Sequence, residues 1–340
     1  MRNKIPVVVC VCVSAIIIAS CASNSTGNKS TTDTIVKAIG PKMSAKERLA
    51  KNNIVERHND WSSMLMVGKV KLFTETDYSI SAGEKQAIVY KRRDSFDANG
   101  RVVKMWAFKK DRTIDWEGIT YYDKDGHDTA GFDYDAHGKM LDSGCNKFDS
   151  RGNNIESISF TPDGKLQRKD TYKFDDKDNM TELDFYDKKG KMKERWTYEY
   201  DENGFPKAGQ TFDSLGRPGT KQTSKCDENG NCLESISYKM DGSIERKRIS
   251  KYDDKGHCIE RSEYNGKDSL VTKETMKYDD KGKRIENIVL KPDGSVDEKK
   301  SSYYEYEYDG TGNVVKKTQF EMKGGKKVAV RVTESEYVYY

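Results

Sequence analysis

The chain has 340 residues, of which 34% are charged and 34% are hydrophobic, and its mean hydropathy is −0.91. Average globular chains are about 45–50% apolar with glycine included and about 25% charged, so this composition excludes a thick two-layer core over the whole length. The 20 Tyr, 11 Phe and 4 Trp exclude a disordered chain, because disordered chains are poor in aromatic residues. The net charge of +4 gives no reason to expect a nucleic-acid partner.

Residues 1–20 are predicted to be a bacterial signal peptide. Arg2 and Lys4 precede an apolar run from Ile5 to Ile18, which is too short to span a membrane and typical of a signal-peptide core. The run ends in Ile18-Ala19-Ser20-Cys21, which resembles the bacterial lipobox. The resemblance implies lipidation of the Cys21 thiol, cleavage before Cys21 and acylation of the new amine. Two or three acyl chains anchor a protein stably to a membrane.

Two further segments precede the main body of the chain. Residues 21–41 are small and polar and predict a flexible tether with a reach of roughly 25 Å. No Asp follows Cys21, which resembles lipoproteins sorted to the outer membrane, on its periplasmic or its outer side. Residues 42–92 are predicted to hold a helix from Ser44 to about His58 and degenerate strands over 62–92 that cap an exposed sheet edge.

Residues 93–340 are predicted to be a tandem-repeat domain. An aromatic–Asp–x–x–Gly pattern recurs at every twenty-sixth position, and Asp178 replaces one of its glycines. A second series of turn glycines interleaves with it, so a shorter step, as from Gly126 to Gly138, alternates with a longer one, as from Gly138 to Gly152. The Asp caps backbone N–H groups and the Gly takes a left-handed conformation without steric cost. The first series has Gly at 100, 126, 152, 204, 230, 256 and 282, and the second at 138, 164, 190, 216, 242 and 294.

These turns predict β-hairpins in a fixed register. The residue four before each glycine should face the residue two after it, as with Phe160 and Leu166 or Tyr238 and Ile244. Subtracting the loops leaves strands of seven and nine residues with alternating faces. The predicted fold is therefore all-β: a long antiparallel meander of roughly 16 strands, open, twisted or curled, preceded by one short helix.

The aromatic–Asp–x–x–Gly unit resembles the YD repeat of the bacterial RHS family over residues 94–312. The resemblance implies β-hairpin strips that wind into shells or stalks on secreted and surface proteins. Some members of the family are linked to carbohydrate binding and others to encapsulating a toxin. The alternation of shorter and longer steps departs from the family's unit, and its toxic C-terminal domain is missing, so only the hairpin chemistry is carried over.

Aromatic residues at one repeat position form a candidate binding ladder. They should line one long edge of the sheet at a spacing of about 9–10 Å, which suits stacking against the sugar rings of a polysaccharide. The alternative, which the residues favour, is that the rings shield the ends of the hairpins. The ladder consists of Tyr122, Phe148, Phe174, Tyr200, Tyr252 and Tyr278.

The register also makes a prediction for the cysteines. Cys226 and Cys232 occupy the two facing positions of one hairpin, so they are predicted to form a disulfide in an exported protein. Cys258 lies two strands from Cys232, too far for a bond, and is predicted to be free, as is Cys145. The alternative is a pair of reduced thiols that act as small apolar fillers.

The sequence predicts no enzyme, cofactor or metal. Its four histidines belong to no catalytic motif, and the alternating carboxylates from Asp123 to Asp128 are explained by turn chemistry. The predicted function is that of a non-enzymatic envelope lipoprotein, a binding or structural module for a polysaccharide or an envelope protein. The alternatives are a glycan-processing enzyme that uses paired carboxylates and a partner-binding lipoprotein in assembly or immunity.

Overall fold

The computed structural model describes residues 64–340, and every regular element in that range is a β-strand. The predicted signal peptide, Cys21, the tether and the helix to His58 lie outside the described residues. No helix in the described range is long and apolar enough to cross a membrane. The strands are β1 (Val70–Ser81), β2 (Glu84–Phe96), β3 (Val102–Phe108), β4 (Ile114–Tyr122), β5 (Asp128–Asp135), β6 (Met140–Phe148), β7 (Asn154–Phe160), β8 (Leu166–Phe174), β9 (Met180–Tyr186), β10 (Met192–Tyr200), β11 (Pro206–Asp213), β12 (Pro218–Cys226), β13 (Cys232–Tyr238), β14 (Ile244–Tyr252), β15 (Cys258–Asn265), β16 (Leu270–Tyr278), β17 (Arg284–Leu290), β18 (Ser302–Tyr308), β19 (Val314–Lys323) and β20 (Lys326–Tyr339).

The turns form as the sequence predicts. In the turn between β6 and β7, the Gly152 N–H donates to the carbonyl of Asp149 at 3.1 Å, and Gly152 has a φ of 83°. The Asp149 Oδ1 accepts from the N–H groups of Arg151 and Asn153 at 2.9 and 2.8 Å. The predicted hairpin register is confirmed, since Phe160 faces Leu166 and Tyr238 faces Ile244.

The prediction of an open or curled sheet of roughly 16 strands is wrong, because the sheet is closed. Consecutive strands pair antiparallel along the chain, and β20 then pairs with β1 from Val70↔Tyr339 to Ser79↔Arg331, which makes a closed sheet of 20 strands. The strands β1, β2 and β20 have 12, 13 and 14 residues, so they are longer than the repeat strands and give the last pairings a long ladder. Closure satisfies the backbone groups that an open sheet would leave exposed at its edges.

Apolar packing and side-chain hydrogen bonds hold the closure together. Val70, Phe73 and Phe96 are buried to 0%, 4% and 2% exposure, and Tyr337 packs against them. The Asn313 side chain accepts from the Val67 N–H at 2.7 Å and donates to the Val67 carbonyl at 2.8 Å. The degenerate strands over 62–92, expected to cap an exposed edge, therefore join the two ends of the sheet instead.

The alternation of side chains gives the closed sheet two distinct faces. The largest buried side chains of the repeat strands fall on the same face: Tyr172, Leu183, Met276 and Val289 are 8%, 1%, 4% and 4% exposed. We call this the inner face, because a closed sheet turns one face of every strand inward. The opposite, outer face carries mostly charged and aromatic side chains, as in the register pair Lys169↔Tyr186.

The hairpin turns lie along two edges of the closed sheet, and these edges differ. At turns of the first glycine series, a residue from the preceding repeat packs against the turn glycine. A Cβ atom added to Gly152 would lie 3.0 Å from His127 Nε2, and a Cβ atom added to Gly230 would lie 2.5 Å from the Phe205 ring. We call this the packed edge. The other turns form the open edge, where a Cβ would have nothing within 4 Å at Gly138, Gly164, Gly190, Gly216, Gly242 and Gly294.

Candidate functional site

The structure brings the six residues of the predicted binding ladder to the packed edge. Each of them is the last residue of its strand, at the ends of β4, β6, β8, β10, β14 and β16, and each shares the inner face with residues such as Tyr172. Cys226 ends β12 and takes the same position there. We predicted that these residues lie along one edge of the sheet at positions two strands apart. The structure has this arrangement.

The hydroxyl groups of the ladder tyrosines are bound within the sheet. Each donates to a backbone carbonyl at the start of the preceding strand, which ties the end of one strand to its neighbour. Burial raises the pKa of Tyr200, as expected for a hydroxyl held in this way. The bonds run from Tyr122 to Val102 at 2.8 Å, Tyr200 to Met180 at 2.8 Å, Tyr252 to Cys232 at 3.0 Å and Tyr278 to Cys258 at 2.8 Å.

Several ladder rings are also covered on one face. The His127 ring stacks on Phe148 with centroids 4.5 Å apart, and His257 stacks on Tyr278 at 4.6 Å. The guanidinium of Arg101 lies 4.9 Å from the Tyr122 ring centroid. These contacts favour the alternative that the ladder stabilises the packed edge, and its role in binding stays a prediction.

The cluster of Asp123, Asp125 and His127 has the composition of a weak metal site, but the turn uses the same atoms. The donor atoms of these three side chains lie within 4.8 Å of one another. The Asp123 Oδ1 accepts from the Asp125 and His127 N–H groups, and Oδ2 lies 2.9 Å from His127 Nδ1. Burial raises the pKa of Asp123, but the hydrogen bonds from His127 outweigh it and lower the value to about 2. This cluster caps a turn, and we assign it no metal.

The two cysteines of the predicted disulfide face each other. Cys226 and Cys232 are register partners across β12 and β13, and both are free thiols in the structure, as are Cys145 and the buried Cys258. A hydrogen bond to Cys232, together with burial, raises the pKa of the Cys226 thiol. The disulfide between these register partners stays a prediction.

The structure also shows a second row of aromatic residues, which we did not propose as a site from the sequence. On the outer face, near the open edge, aromatic residues face cations of the preceding strand in register, once in each of four successive repeats. The signal was present in the sequence as the aromatic residue four before five of the six glycines of the second series, but it was used there only to predict the register. We call this the outer row; its pairs are Lys169↔Tyr186, Arg195↔Phe212, Lys221↔Tyr238 and Lys247↔Tyr264.

Two cations of the outer row lie close to the rings of their register partners. The Nζ atoms of Lys169 and Lys247 lie 5.8 and 5.0 Å from the ring centroids of Tyr186 and Tyr264. All four aromatic side chains are partly exposed. The outer row therefore offers ring surface and positive charge together on one accessible face.

Glutamates on the outer face link these cations to lysines nearer the packed edge. Glu260 lies 2.8 Å from Lys251 and 2.9 Å from Lys273, and hydrogen bonds from the two lysines lower its pKa. One carboxylate is thus shared between two cations, which leaves one positive charge uncompensated. Among the outer-face residues of β12 to β17 that form register pairs, there are six lysines and three glutamates. The lysines are Lys221, Lys225, Lys247, Lys251, Lys273 and Lys277, and the glutamates are Glu234, Glu260 and Glu286.

A cleft opens where the sheet is least regular. The strands β17 and β18 share only the register pairs Glu286↔Tyr303 and Asn287↔Ser302, and beside them lies a cleft of about 580 Å³. Two of its four carboxylates are engaged with cations, since Glu286 lies 2.9 Å from Lys277 and Glu307 lies 2.6 Å from Lys316. A third, Asp279, accepts a hydrogen bond from the Tyr308 hydroxyl at 3.0 Å. The alternative of a glycan-processing enzyme stays a prediction.

Comparisons with known proteins define no family. No family model and no curated protein matches the chain. Among solved structures, a porin-like protein from Bacteroides uniformis is 10% identical, with a TM-score of 0.36, over 80% of this chain and 99% of that one. A chain of the Tc holotoxin pore of Photorhabdus luminescens is 11% identical, with a TM-score of 0.26, over 73% of this chain and 15% of that one. A putative outer membrane lipoprotein-sorting protein domain from Vibrio parahaemolyticus is 10% identical, with a TM-score of 0.17, over 86% and 89%.

These similarities are too distant to support an argument about function or location. The resemblances to the lipobox and to the YD repeat accordingly rest on the residues of the chain alone.

Proposed function

We propose that this chain is a non-enzymatic, lipid-anchored module of the bacterial envelope that binds a polysaccharide along its outer row. The observation that supports the proposal is the repetition of one local arrangement: an aromatic residue in register with a cation, in four successive repeats. A polymer of repeating sugars is the class of ligand that matches a repeating surface.

The spacing of the outer row fits such a polymer. One repeat corresponds to two strands, which places successive aromatic residues about 9–10 Å apart. Two sugar rings of an extended chain span a similar length, so every second ring can stack on an aromatic side chain while hydroxyl groups meet the neighbouring cations. Weak contacts at several such positions on one polymer add up to a useful affinity.

The outer row is a better candidate than the predicted ladder for a physical reason. The hydroxyl groups of the ladder tyrosines donate hydrogen bonds to backbone carbonyls. Three of the ladder rings are covered on one face by His127, His257 and Arg101. The rings of the outer row are approached instead by lysine side chains such as Lys247, which is also paired with Asp268. A lysine in a surface ion pair can exchange its carboxylate for a ligand at small cost, whereas a stacked and hydrogen-bonded histidine would have to be displaced.

Binding is tested with the full-length lipidated protein in detergent micelles on a glycan array, followed by titration calorimetry with the best polymer. Replacing both Tyr238 and Tyr264 with alanine should weaken binding by about tenfold or more, because stacking contacts are each worth about 1 kcal/mol. Tyr121→Ala is the matched control, since Tyr121 is an exposed tyrosine of the same sheet outside the outer row. Equal loss in both variants, or no polysaccharide ligand at all, would overturn the proposal.

The anchoring part of the proposal rests on Ile18-Ala19-Ser20-Cys21 and needs its own test. Cys21→Ser should leave an uncleaved or soluble form that no longer enters the detergent phase. If the wild-type protein itself partitions into buffer, the lipid anchor is absent.

A further inference from the structure

We infer that the polysaccharide is acidic and carries anionic groups at regular intervals; this inference rests on the proposed function. On the part of the outer face formed by β12 to β17, the strand lysines outnumber the strand glutamates.

The excess of positive charge is centred on β12. Within residues 64–340, Lys221 and Lys225 of β12 form no ion pair with a carboxylate, although both lie on the outer face in register with Tyr238 and Glu234. Lys221 is the register partner of Tyr238, so a cation without a carboxylate partner lies on the strand beside a stacking position. Cations without a partner on an accessible surface attract an anionic ligand and raise its rate of encounter.

A second positive position lies four strands away. Lys251 and Lys273 share the single carboxylate of Glu260, so this group keeps one net positive charge. Lys251 lies nearer the packed edge, whereas Lys273 of β16 occupies the level of the outer row, about 19 Å from β12. The intervening Lys247 of β14 is paired with Asp268. An acidic polymer that lies along the row would meet the cations of β12 and β16 while its rings stack on Tyr238 and Tyr264.

The neighbouring part of the same row is compensated, which provides an internal comparison. Arg195 donates to both carboxylate oxygens of Asp184 at 2.7 Å and lies 3.3 Å from Glu182. This cation is already matched by two carboxylates, so the β9–β10 part of the row has no charge to offer an anion. The row thus combines an acid-binding half with a half suited to neutral sugars.

The experiment compares a polymer with its own neutralised form. Hyaluronan has one carboxylate for every two sugars, and its methyl ester has the same backbone without the charge. Titration of the full-length protein in detergent micelles should show hyaluronan binding about tenfold more tightly at low salt, with most of the difference lost at high salt because exposed charges are screened.

Variants separate the charge from the stacking. Replacing Lys221 and Lys225 with glutamine should abolish the preference for hyaluronan while leaving the affinity for the methyl ester unchanged. Lys124→Gln, at a fully exposed turn lysine elsewhere on the sheet, is the matched control and should change neither affinity.

Each outcome decides a different question. If the ester binds as well as hyaluronan, or if the lysine variants keep the preference, the acidic ligand is wrong and the proposed polysaccharide function stands. If neither polymer binds and the array shows no other glycan, the proposed function itself fails. Retention of binding by the Tyr238 and Tyr264 variants with loss in the lysine variants would indicate a purely electrostatic surface and would overturn the stacking geometry.

Discussion

The packed edge and the open edge are built from the same turn chemistry but do different work. At Asp149 of the packed edge and Asp187 of the open edge, one carboxylate oxygen caps the N–H groups two and four residues on. The edges differ in the residue directly after the glycine. On the packed edge that residue is buried, as with Asn153 and His257 at 2% and 3% exposure, whereas Lys191 on the open edge is exposed.

This difference shows that turn formation and contact between repeats are separate properties of the sequence. The Asp and Gly make each turn locally. A contact between neighbouring repeats needs two further residues. One directly follows the turn glycine, as His127 does, and the other is an aromatic residue that ends the second strand after that turn, as Phe148 does. The open edge lacks such pairs at its turns, which leaves the adjacent outer row accessible to a ligand.

The largest difference between the edges should appear when the turn glycines are replaced. Gly230→Ala should lower the free energy of unfolding by about 3 kcal/mol, since left-handed strain is added to a clash with the buried Phe205 ring 2.5 Å away. Gly242→Ala on the open edge has a similar φ and open space, so it should cost only about 1 kcal/mol. Chemical denaturation of both variants measures the difference; equal losses would mean that the packing at the packed edge contributes nothing.

The predicted disulfide at the packed edge should have the next largest effect. Cys226 takes the place of a ladder tyrosine and has no hydroxyl to donate to the preceding strand, and a bond to Cys232 would instead link β12 to the following strand β13. Reduction should lower the free energy of unfolding by about 1–2 kcal/mol, at the low end of the range because the closed loop is short. Peptide mapping without reductant checks the bond: recovery of two free thiols, or a bridge from either cysteine to Cys258, would show that no such bond forms.

The acid sensitivity of the two edges should differ as well. The pKa of Asp123 is depressed to about 2 in the folded chain, so its contribution to stability is complete above the unfolded value of about 4 and is lost as the pH falls through about 2. At neutral pH, Asp123→Asn should cost about 1 kcal/mol after solvent screening. Denaturation curves of the variant and the wild type should converge as the pH falls from about 4 to about 2.

Asp187→Asn on the open edge provides the comparison for this titration. Its carboxylate is held by the N–H groups of Lys191 and Lys189 alone, which lower its pKa without a side-chain donor. The pH-dependent loss should therefore be smaller than at Asp123. A larger loss at Asp187 would show that the histidine contact does not stabilise the packed edge.

Removal of single hydroxyl groups should separate the two aromatic rows. Tyr252→Phe deletes the hydrogen bond to the Cys232 carbonyl and should cost about 1 kcal/mol. Tyr264→Phe, in the outer row, should change the free energy of unfolding by less than about 0.5 kcal/mol, as is usual for exposed positions. Thermal denaturation of the two variants gives the answer, and a greater cost at Tyr264 would reverse the roles assigned to the rows.

The smallest effect is expected where the turn glycine is already replaced. Arg112 on the open edge has a φ of 70°, so Arg112→Gly should raise the free energy of unfolding by about 0.5–1 kcal/mol. Asp178 on the packed edge has a φ of 62°, but its carboxylate accepts from Asn153 at 2.7 Å and pairs with Arg151 at 3.0 Å. Asp178→Gly should therefore be destabilising in the same denaturation assay, and a gain in stability there would show that these contacts are weak.

The sequence by itself determined the local properties of each hairpin. The turns, the strand lengths and the register follow from residues such as Asp149, Gly152 and Phe160, because the groups that interact lie within a few positions of one another and recur with a fixed period. The sequence also supplied both aromatic rows as patterns, but it did not distinguish their roles. That distinction depends on which face of the sheet turns inward and on contacts between hairpins.

Only the tertiary structure decided that the sheet closes and which contacts each row makes. Closure joins Val70 to Tyr339 through strands that carry no repeat signal, and no local pattern reports a pairing between residues so far apart. Closure also assigns the faces, since it places the ladder, with its bonded hydroxyl groups and stacked rings, on the inner face and the rings and cations of the outer row on the opposite face. The repeat period in the sequence determines which strands are adjacent along the chain. The first and last strands pair because each is long and its backbone groups would otherwise remain unpaired.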